Sequence, residues 1–144
     1  MDRIEDCISF AVGKAVQQVT RRAKALLAPH GITPVQYAVL KVLATDGPLS
    51  GAEIGKRMVL DSASVTGVLD RMEGLGLIER RPDPKDRRAQ QVAVSPASLG
   101  MLAELDAGMD RLNAAARQAV GGDYEALFQG LRRLADNGNW SDDV

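Results

Sequence analysis

The sequence predicts a mainly α-helical fold with one small β-hairpin, and three observations lead to that prediction. Apolar residues recur at spacings of three and four through most of the chain, which is the period of an amphipathic helix. Only two short segments, 77–79 and 91–94, have the composition of strands. Glycine and proline separate the helical segments from one another. A chain of 144 residues can bury one core, so we expect six helices and the hairpin in a single domain.

Two short helices are predicted between Ser50 and Leu75. Ser50 and Glu53 have the spacing of a capping box, and Asp61 is a candidate N-cap for the second helix. That helix carries one apolar stripe, formed by Val65, Val68, Leu69, Met72 and Leu75. Its opposite face begins with small and hydroxylated residues, which allow close approach to base edges. An ordinary solvated helix face is the alternative.

A β-hairpin with a basic tip is predicted to follow. Gly74 and Gly76 end the helix, and a loop containing two prolines joins the two strand segments. The connection carries five basic and two acidic residues: Arg80, Arg81, Lys85, Arg87, Arg88, Asp83 and Asp86. Such a wing suits DNA phosphates and a minor groove, and we expect an aspartate to hold one arginine in position. A solvated loop is the alternative. Two helices followed by this hairpin are typical of a winged helix-turn-helix.

Helical segments flank this middle part. An alanine-rich apolar stripe predicts a helix over 2–28, and Thr33-Pro34 has the N-cap and first-turn proline of the next helix. Two more helices are predicted after Pro96, separated by Gly121-Gly122 and followed by a polar tail at 136–144.

The expected organisation is one domain over 1–144. Within it, 33–96 forms the winged-helix lobe, while 1–32 and 97–137 form a helical region through which two chains intertwine as a homodimer. Such a dimer would place two recognition helices about one DNA turn apart. The alternative is that the end helices pack only on their own chain.

Composition and charge exclude several classes of protein. The net charge of −1 gives no global attraction to nucleic acid, so any DNA binding must depend on local charge. No apolar run reaches the length of a membrane span, and the acidic N-terminus has no signal-peptide pattern. We therefore expect a cytoplasmic protein without a membrane partner.

Enzymatic chemistry has little support in the sequence. The single cysteine and the single histidine offer too few ligands for a zinc site. No nucleophile-elbow motif surrounds a serine and no phosphate-binding glycine loop is present, so we expect neither catalysis nor a cofactor. A small hydrolase that uses a serine and His30 is a rival hypothesis, because residue order does not fix active-site geometry.

The segment from Leu49 to Arg88 resembles the core of the MarR family of bacterial transcription regulators. The resemblance is carried by V-T-G-V-L-D-R-M-E-G-L-G-L-I-E-R and by the following D-P-K-D-R-R. Together the two motifs are specific to the family. The resemblance implies a winged-helix homodimer that binds a pseudo-palindromic operator, and we expect it to act as a repressor. A winged-helix module that binds protein instead of DNA is the alternative.

The resemblance also implies a set of DNA-contacting residues. The helix residues that would face the major groove are Ser62, Ala63, Ser64, Thr66 and Gly67, with Arg71 as a further candidate. The wing candidates are Lys85, Asp86, Arg87 and Arg88, of which Arg87 or Arg88 would reach the minor groove. Gly67 departs from the family, which often has a longer polar residue there. Glycine also lowers the local helix propensity by about 1 kcal/mol relative to alanine.

An effector pocket is implied where the dimerising helices meet the winged lobe. The candidate residues are Ser9, Phe10, Gly13, Arg21, Arg22, His30 and Tyr37. An aromatic wall with a cation or a hydroxyl suits a small phenolic or aromatic carboxylate ligand. The alternative is that Phe10 and Tyr37 are simply core residues.

Cys7 raises the question of redox sensing. One branch of the family senses organic hydroperoxides through a first-helix cysteine, which falls on Ser9 when aligned through Gln36-Tyr37. A two-residue offset turns a helical side chain by about 200°. We therefore expect Cys7 to be a packed thiol, with redox sensing as the less favoured hypothesis.

Overall fold

A computed structural model describes residues 3–58, 60–136 and 140. Helices form where the sequence supplies capping groups and apolar repeats. The α-helices are α1 (Ile8–Leu27), α2 (Pro34–Asp46), α3 (Gly51–Met58), α4 (Ser62–Gly74), α5 (Pro96–Val120) and α6 (Tyr124–Ala135). The strands are β1 (Ile78–Pro82) and β2 (Gln90–Val94). The chain divides into two compact units, one ending at Met109 and one beginning at Asp110. The fold is mainly helical with a small antiparallel hairpin, as predicted.

The core of the first unit draws on helices α1 to α5 and on both strands. Leu27 of α1, Leu40 of α2, Met72 of α4 and Leu105 of α5 have no exposed surface. Each buried leucine or methionine contributes about 1.5–3 kcal/mol relative to an exposed side chain. Because each of the four comes from a different helix, this burial holds the winged-helix elements against α1 and the first part of α5.

The predicted helix caps are present. Thr33 Oγ1 accepts a hydrogen bond from the Gln36 N–H at 3.3 Å, and Gln36 Oε1 accepts one from the Thr33 N–H at 2.9 Å. Ser50 and Glu53 form the same reciprocal pair at the start of α3, with distances of 3.2 and 2.8 Å. Both capping boxes satisfy backbone donors that would otherwise lack a partner.

The hairpin is longer than predicted and has an additional partner. Strand β1 continues past the expected segment 77–79 to Pro82, which pairs with Gln90. Leu49, just before α3, also forms a bridge to β2: its N–H donates to the Val92 carbonyl at 3.1 Å, and the Val92 N–H donates back at 2.7 Å. This bridge joins residues far apart in sequence, so local composition did not reveal it. It anchors the wing to the start of the helix-turn-helix.

The first helix begins later than the predicted 2–28. A 3-10 turn at Ile4–Asp6 precedes it, Cys7 is extended with φ −82° and ψ 121°, and α1 starts at Ile8. Ile4 and Ile8 are 53% and 60% exposed, so no core contact holds the first predicted turn in helical form. Asp2 lies outside the described residues.

The second unit contains a stacked aromatic pair. The rings of Tyr124 and Phe128 on α6 are 5.9 Å apart with an interplanar angle of 20°. The Trp140 indole N–H donates to the Leu134 carbonyl at 2.9 Å. Most of the predicted polar tail at 136–144 lies outside the described residues.

Candidate nucleic-acid interface

Helix α4 has a buried side and an exposed side. Val65, Leu69 and Met72 are 4%, 3% and 0% exposed, which confirms most of the predicted apolar stripe. The opposite side holds four exposed residues and one half-buried glycine: Ser62, Ala63, Ser64, Thr66 and Gly67. The first two turns of α4 therefore present a surface of small side chains to solvent.

Close packing of α3 against α4 depends on a glycine that the sequence analysis did not single out. A Cβ at Gly55 would lie 3.0 Å from Val65 Cγ2 and 3.3 Å from the Leu60 carbonyl oxygen. Gly55 itself is buried. The absence of a side chain there lets α3 approach the buried side of α4 and so helps to set the angle at which α4 is presented.

Two of the three hydroxyl groups on the exposed surface of α4, those of Ser64 and Thr66, have acceptors within the protein. Asp61 caps the helix, with Oδ1 accepting from the Ser64 N–H at 2.9 Å and Oδ2 accepting from the Ser64 hydroxyl at 2.7 Å. The Thr66 hydroxyl donates to the Ser62 carbonyl at 2.9 Å. The hydrogen bonds to Ser64 lower the pKa of Asp61, the backbone N–H bond first, so this cap is a carboxylate at neutral pH.

The wing loop is folded by its own aspartates. Asp83 Oδ1 accepts from the Lys85 N–H at 2.8 Å, and Asp86 Oδ1 accepts from the Arg88 N–H at 2.9 Å. The expected hydrogen bond from an arginine side chain to one of these aspartates is therefore replaced by backbone bonds, because a short carboxylate reaches the N–H two residues ahead. The side chains of Lys85, Arg87 and Arg88 are exposed and form no ion pair with any described residue.

The two arginines at the base of the wing are paired. The Arg80 guanidinium donates to Asp70 Oδ1 at 2.6 Å and also to Glu73 Oε2. The hydrogen bond to Asp70 raises the pKa of Arg80 most strongly, and the charge of Glu73 adds to it. Arg81 pairs with Glu79 at 2.8 Å. The sequence analysis missed the link from Arg80 to α4, although the spacing of three between Asp70 and Glu73 places both carboxylates on one side of that helix.

Arg71 lies one helical turn after Gly67 and two turns after Ser64, on the same side of α4 but nearer its C-terminal end. It is exposed and lines a groove of about 490 Å³ bounded by α1, the start of α2, and α4. Lys24, Gln36 and Val68 line the same groove. This is a mixed polar and apolar surface that carries two cations.

Five of the seven candidate effector residues lie on the exposed surface of α1. They are Ser9, Phe10, Gly13, Arg21 and Arg22. The two arginines both donate to the Gln18 side-chain oxygen, at 3.2 and 2.9 Å. The residues of α1 that line the groove are instead Thr20 and Lys24.

The other two candidates contact α5. The Tyr37 hydroxyl donates to Asp106 Oδ1 at 2.8 Å, and Lys41 Nζ donates to Asp106 Oδ2 at 2.7 Å. These bonds, that of Lys41 first, lower the pKa of Asp106. His30 Nδ1 lies 3.6 Å from Glu104 Oε2. Tyr37 therefore joins α2 to α5, which favours the alternative that it is a packing residue.

Cys7 occupies the N-cap position of α1 and is half-buried rather than fully packed. Its sulfur lies 3.1 Å from the Ser9 hydroxyl oxygen. The hydrogen bond with Ser9 lowers the pKa of the Cys7 thiol most strongly, and the Phe10 N–H adds to it. The expected packed thiol is thus corrected to a partly accessible one, because α1 begins only after Cys7.

Within the described ranges, no three histidine, cysteine, aspartate or glutamate side chains come close enough to share a metal ion. Among the helices of those ranges, none combines the length and apolar character that crossing a bilayer requires.

Residues 32–89 match the MarR family. The HTH-type transcriptional regulator TtmR of Methylorubrum extorquens (strain PA1) is 35% identical over 103 residues, which are 72% of this chain and 53% of TtmR. The match thus spans about half the length of that curated relative.

Solved structures extend the likeness over nearly the whole chain. The transcriptional repressor CouR, solved on a 23-mer DNA duplex, superposes with a TM-score of 0.87 at 25% identity and covers 94% of this chain and 97% of its own. CouR has also been solved bound to p-coumaroyl-CoA. A probable transcriptional regulator from Pseudomonas aeruginosa is 31% identical with a TM-score of 0.75, covering 93% of this chain and all of its own. These proteins are regulators and not enzymes, and the chain belongs to the MarR family of winged-helix transcription regulators.

Proposed function

We propose that two copies of this chain bind a pseudo-palindromic operator in double-stranded DNA and repress transcription. The observation that carries the proposal is the joint exposure of the small-residue surface of α4 and of three cations at the tip of the wing, which pair with no carboxylate among the described residues. CouR, which has the same fold, was solved on DNA. A cytoplasmic location is part of the proposal, because the operator DNA of a bacterium lies there.

The α4 surface suits the major groove. Short side chains at Ser62, Ala63 and Gly67 allow the helix backbone to approach base edges, and the hydroxyls of Ser64 and Thr66 supply polar contacts.

The wing suits the phosphate backbone and a minor groove. Lys85, Arg87 and Arg88 are concentrated on one short loop, so they create a local positive charge although the whole chain carries a net charge of −1. Because these three cations form no ion pair within the described part of the chain, a phosphate can bind them without displacing such a pair. Asp86 shapes the loop through its bond to the Arg88 backbone and does not itself need to contact DNA.

Exposed apolar side chains support the homodimer. Ile8, Val16 and Val19 of α1 are 60%, 55% and 49% exposed, and Leu127 and Leu131 of α6 are 46% and 43% exposed. A single chain leaves these side chains in water. A partner chain that covered them would stabilise the assembly by about 25 cal/mol for each square ångström of apolar surface it buries. A second copy is the partner that a two-fold operator requires.

The proposed organisation follows from this assignment. The lobe at 33–96 contacts DNA, and the segments 1–32 and 97–137 supply the dimer contacts within one domain over 1–144. Replacing Val16 by Glu should shift the chain from dimer to monomer in sedimentation velocity, while replacing the exposed Lys14 by Glu should not.

We also propose that a small aromatic or phenolic anion relieves repression. The groove beside α4 carries Lys24 from α1 and Arg71 from α4, so a carboxylate held by both would couple the recognition helix to the dimerising helix. Binding would release DNA only if it favours a different spacing of the two α4 helices. The alternative ligand surface is the seven-residue set on α1 and beside α5.

Hydroxylated benzoates and cinnamates, added to a preformed complex with DNA, test the effector proposal. The expected result is release of DNA, with a weaker response after Lys24→Ala than after Lys14→Ala, which lies on the same helix but does not line the groove. A response that both variants retain in full would move the ligand away from the groove.

The experiment that tests the DNA-binding proposal is selection of bound duplexes from random fragments, followed by fluorescence anisotropy on the selected and scrambled sequences. The expected result is an inverted repeat whose half-sites are about one helical turn apart. A folded dimer that selects no duplex would favour the alternative, a winged-helix module that binds protein.

If DNA release by peroxide is observed and persists after Cys7→Ser, Cys7 is not a redox sensor.

A further inference from the structure

Helix α4 carries a net negative charge, which opposes the approach of DNA phosphates. Between Asp61 and Gly74 it holds three carboxylates, those of Asp61, Asp70 and Glu73, and one basic side chain. Asp61 is committed to the N-cap, where the helix dipole stabilises it. Asp70 and Glu73 have no such compensation from the helix itself, and DNA carries one negative charge per about 1.7 Å of its axis.

The position of these two carboxylates brings them towards the proposed DNA surface. Asp70 lies one helical turn after Thr66, which lies one turn after Ser62, so the three share an edge of α4. Glu73 continues that edge. The side chains of Asp70 and Glu73 are 59% and 42% exposed, so they are not withdrawn into the core.

One side chain of the wing, Arg80, forms ion pairs with both carboxylates. Arg80, in β1, directs one terminal guanidinium nitrogen to Asp70 Oδ1 at 2.6 Å and the other to Glu73 Oε2. Its side chain is only 25% exposed, less than either carboxylate. The planar fork of arginine can bind two carboxylates at once, whereas the point charge of lysine cannot reproduce that geometry.

We propose that Arg80 is a positioning residue for DNA binding, which neutralises Asp70 and Glu73 on α4 without contacting DNA itself. The inference rests on the proposed function. Both terminal nitrogens of Arg80 are occupied by protein carboxylates, so a phosphate would have to displace an existing ion pair. Lys85, Arg87 and Arg88 need no such displacement and act as the contacting cations.

The test compares four proteins: wild type, Arg80→Ala, Asp70→Asn with Glu73→Gln, and the triple variant that combines all three changes. Each is measured by anisotropy on the duplex selected by the wild type, over a range of salt concentrations, after circular dichroism has shown equal helix content. Arg80→Ala should weaken binding by about tenfold or more, because two uncompensated carboxylates then face the phosphates. The triple variant should recover to within about threefold of wild type, since the carboxylates are gone as well.

Arg88→Ala, alone and combined with the two amide substitutions, is the matched control. Its loss of binding should persist in the combination, because a missing phosphate contact is not restored by neutralising Asp70 and Glu73. The salt slope should fall by about 1 in the Arg88 variants and should be that of wild type in the triple Arg80 variant.

A triple variant that binds as weakly as Arg80→Ala would show that Arg80 contacts DNA, and would overturn the inference. So would an Arg80→Ala protein that binds as tightly as wild type. If Arg80→Ala loses helix content, Arg80→Lys is measured in its place and should show partial loss with the same recovery by the two amide substitutions. A wild-type protein that selects no duplex would instead overturn the proposed function, together with the role of Arg80 that rests on it.

Discussion

The Ser64 hydroxyl donates a hydrogen bond to Asp61 Oδ2 at 2.7 Å, while Asp61 Oδ1 accepts the Ser64 N–H at 2.9 Å. The serine proton is thus used within the protein, and the oxygen offers only lone pairs to a partner. A hydrogen bond to a carboxylate is stronger than one between neutral groups, so DNA does not easily redirect that proton. In the proposed complex Ser64 can accept from the amino group of adenine or cytosine but cannot donate to guanine.

The first prediction is that Asp61→Asn changes the base preference without removing the helix cap. Asparagine caps a helix about as well as aspartate. With its oxygen on the Ser64 N–H, its amide NH2 would face the Ser64 oxygen and free the serine proton for donation. Selection from random duplexes should then show increased acceptance of guanine or thymine at one position in each half-site.

The control for that prediction is the same asparagine substitution made in a Ser64→Ala background. There the shift in base preference should disappear, because the residue whose hydrogen-bond polarity changes is absent. An identical preference in wild type and Asp61→Asn would show that Ser64 does not read a base.

Local patterns in the sequence predicted the ends of helices well. Thr33 was predicted as an N-cap from the proline that follows it, and Ser50 with Glu53 as a capping box, because both signals lie within one short window of the sequence. Gln36, which completes a second capping box with Thr33, was not predicted. The start of α1 was predicted wrongly. Apolar periodicity continues through Ile4, but the extended backbone of Cys7 separates a short 3-10 turn at Ile4–Asp6 from α1, and side-chain periodicity carries no sign of such a break.

Contacts between distant segments could not be predicted from the sequence. The Tyr37 hydroxyl bonds to Asp106, 69 residues away, and Leu49 bridges to Val92 in the wing. The charge of the wing was visible in the sequence, but its division was not. Arg80 pairs with carboxylates of α4, whereas Lys85, Arg87 and Arg88 at the tip pair with no described residue. This difference depends on the packing of β1 beside α4, which the sequence does not show.

The second prediction concerns the tip of the wing. Arg88→Ala should weaken binding to the selected duplex about equally across related sequences and lower the salt slope by about 1, because a phosphate contact is lost. The matched control is Arg81→Ala, since Arg81 is held by Glu79 at the base of the wing. Anisotropy titrations at several salt concentrations measure both. Equal slopes for Arg88→Ala and wild type would contradict the assigned contact.

The third prediction is a pH-dependent stability difference at Asp106. The hydrogen bond from Lys41, and then that from Tyr37, hold the pKa of Asp106 below its ordinary value of about 3.9. Because the folded pKa is depressed, the stabilisation is fully present above that ordinary value and is lost as the pH falls through the folded pKa. Asp106→Asn should therefore be less stable than wild type at neutral pH, with the difference shrinking below about pH 4.

Urea unfolding at several pH values between 2.5 and 7 measures this difference. Asp110→Asn, four residues further along α5 on an exposed side chain, is the control and should show a much smaller difference at neutral pH. A stability gap at Asp106→Asn that stays constant down to the lowest pH would contradict the role of the carboxylate charge.

The fourth prediction sets two glycines of the helix-turn-helix against each other. Alanine in a helix interior is favoured over glycine by about 1 kcal/mol, so Gly67→Ala, where a Cβ would meet nothing within 4 Å, should raise the melting temperature. Gly55→Ala has the same intrinsic gain, but its Cβ would lie 3.0 Å from Val65 Cγ2 and 3.3 Å from the Leu60 carbonyl oxygen. Val65 is buried and stiff at χ1 and the other neighbour is backbone, so neither can move at little energetic cost.

Gly55→Ala should therefore lower the melting temperature, and it should weaken DNA binding because α3 shifts from α4. Changes of opposite sign in the melting temperatures of the two variants would support this account. A Gly55→Ala protein that melts as high as Gly67→Ala would show that the two helices are not held at the distance this glycine permits.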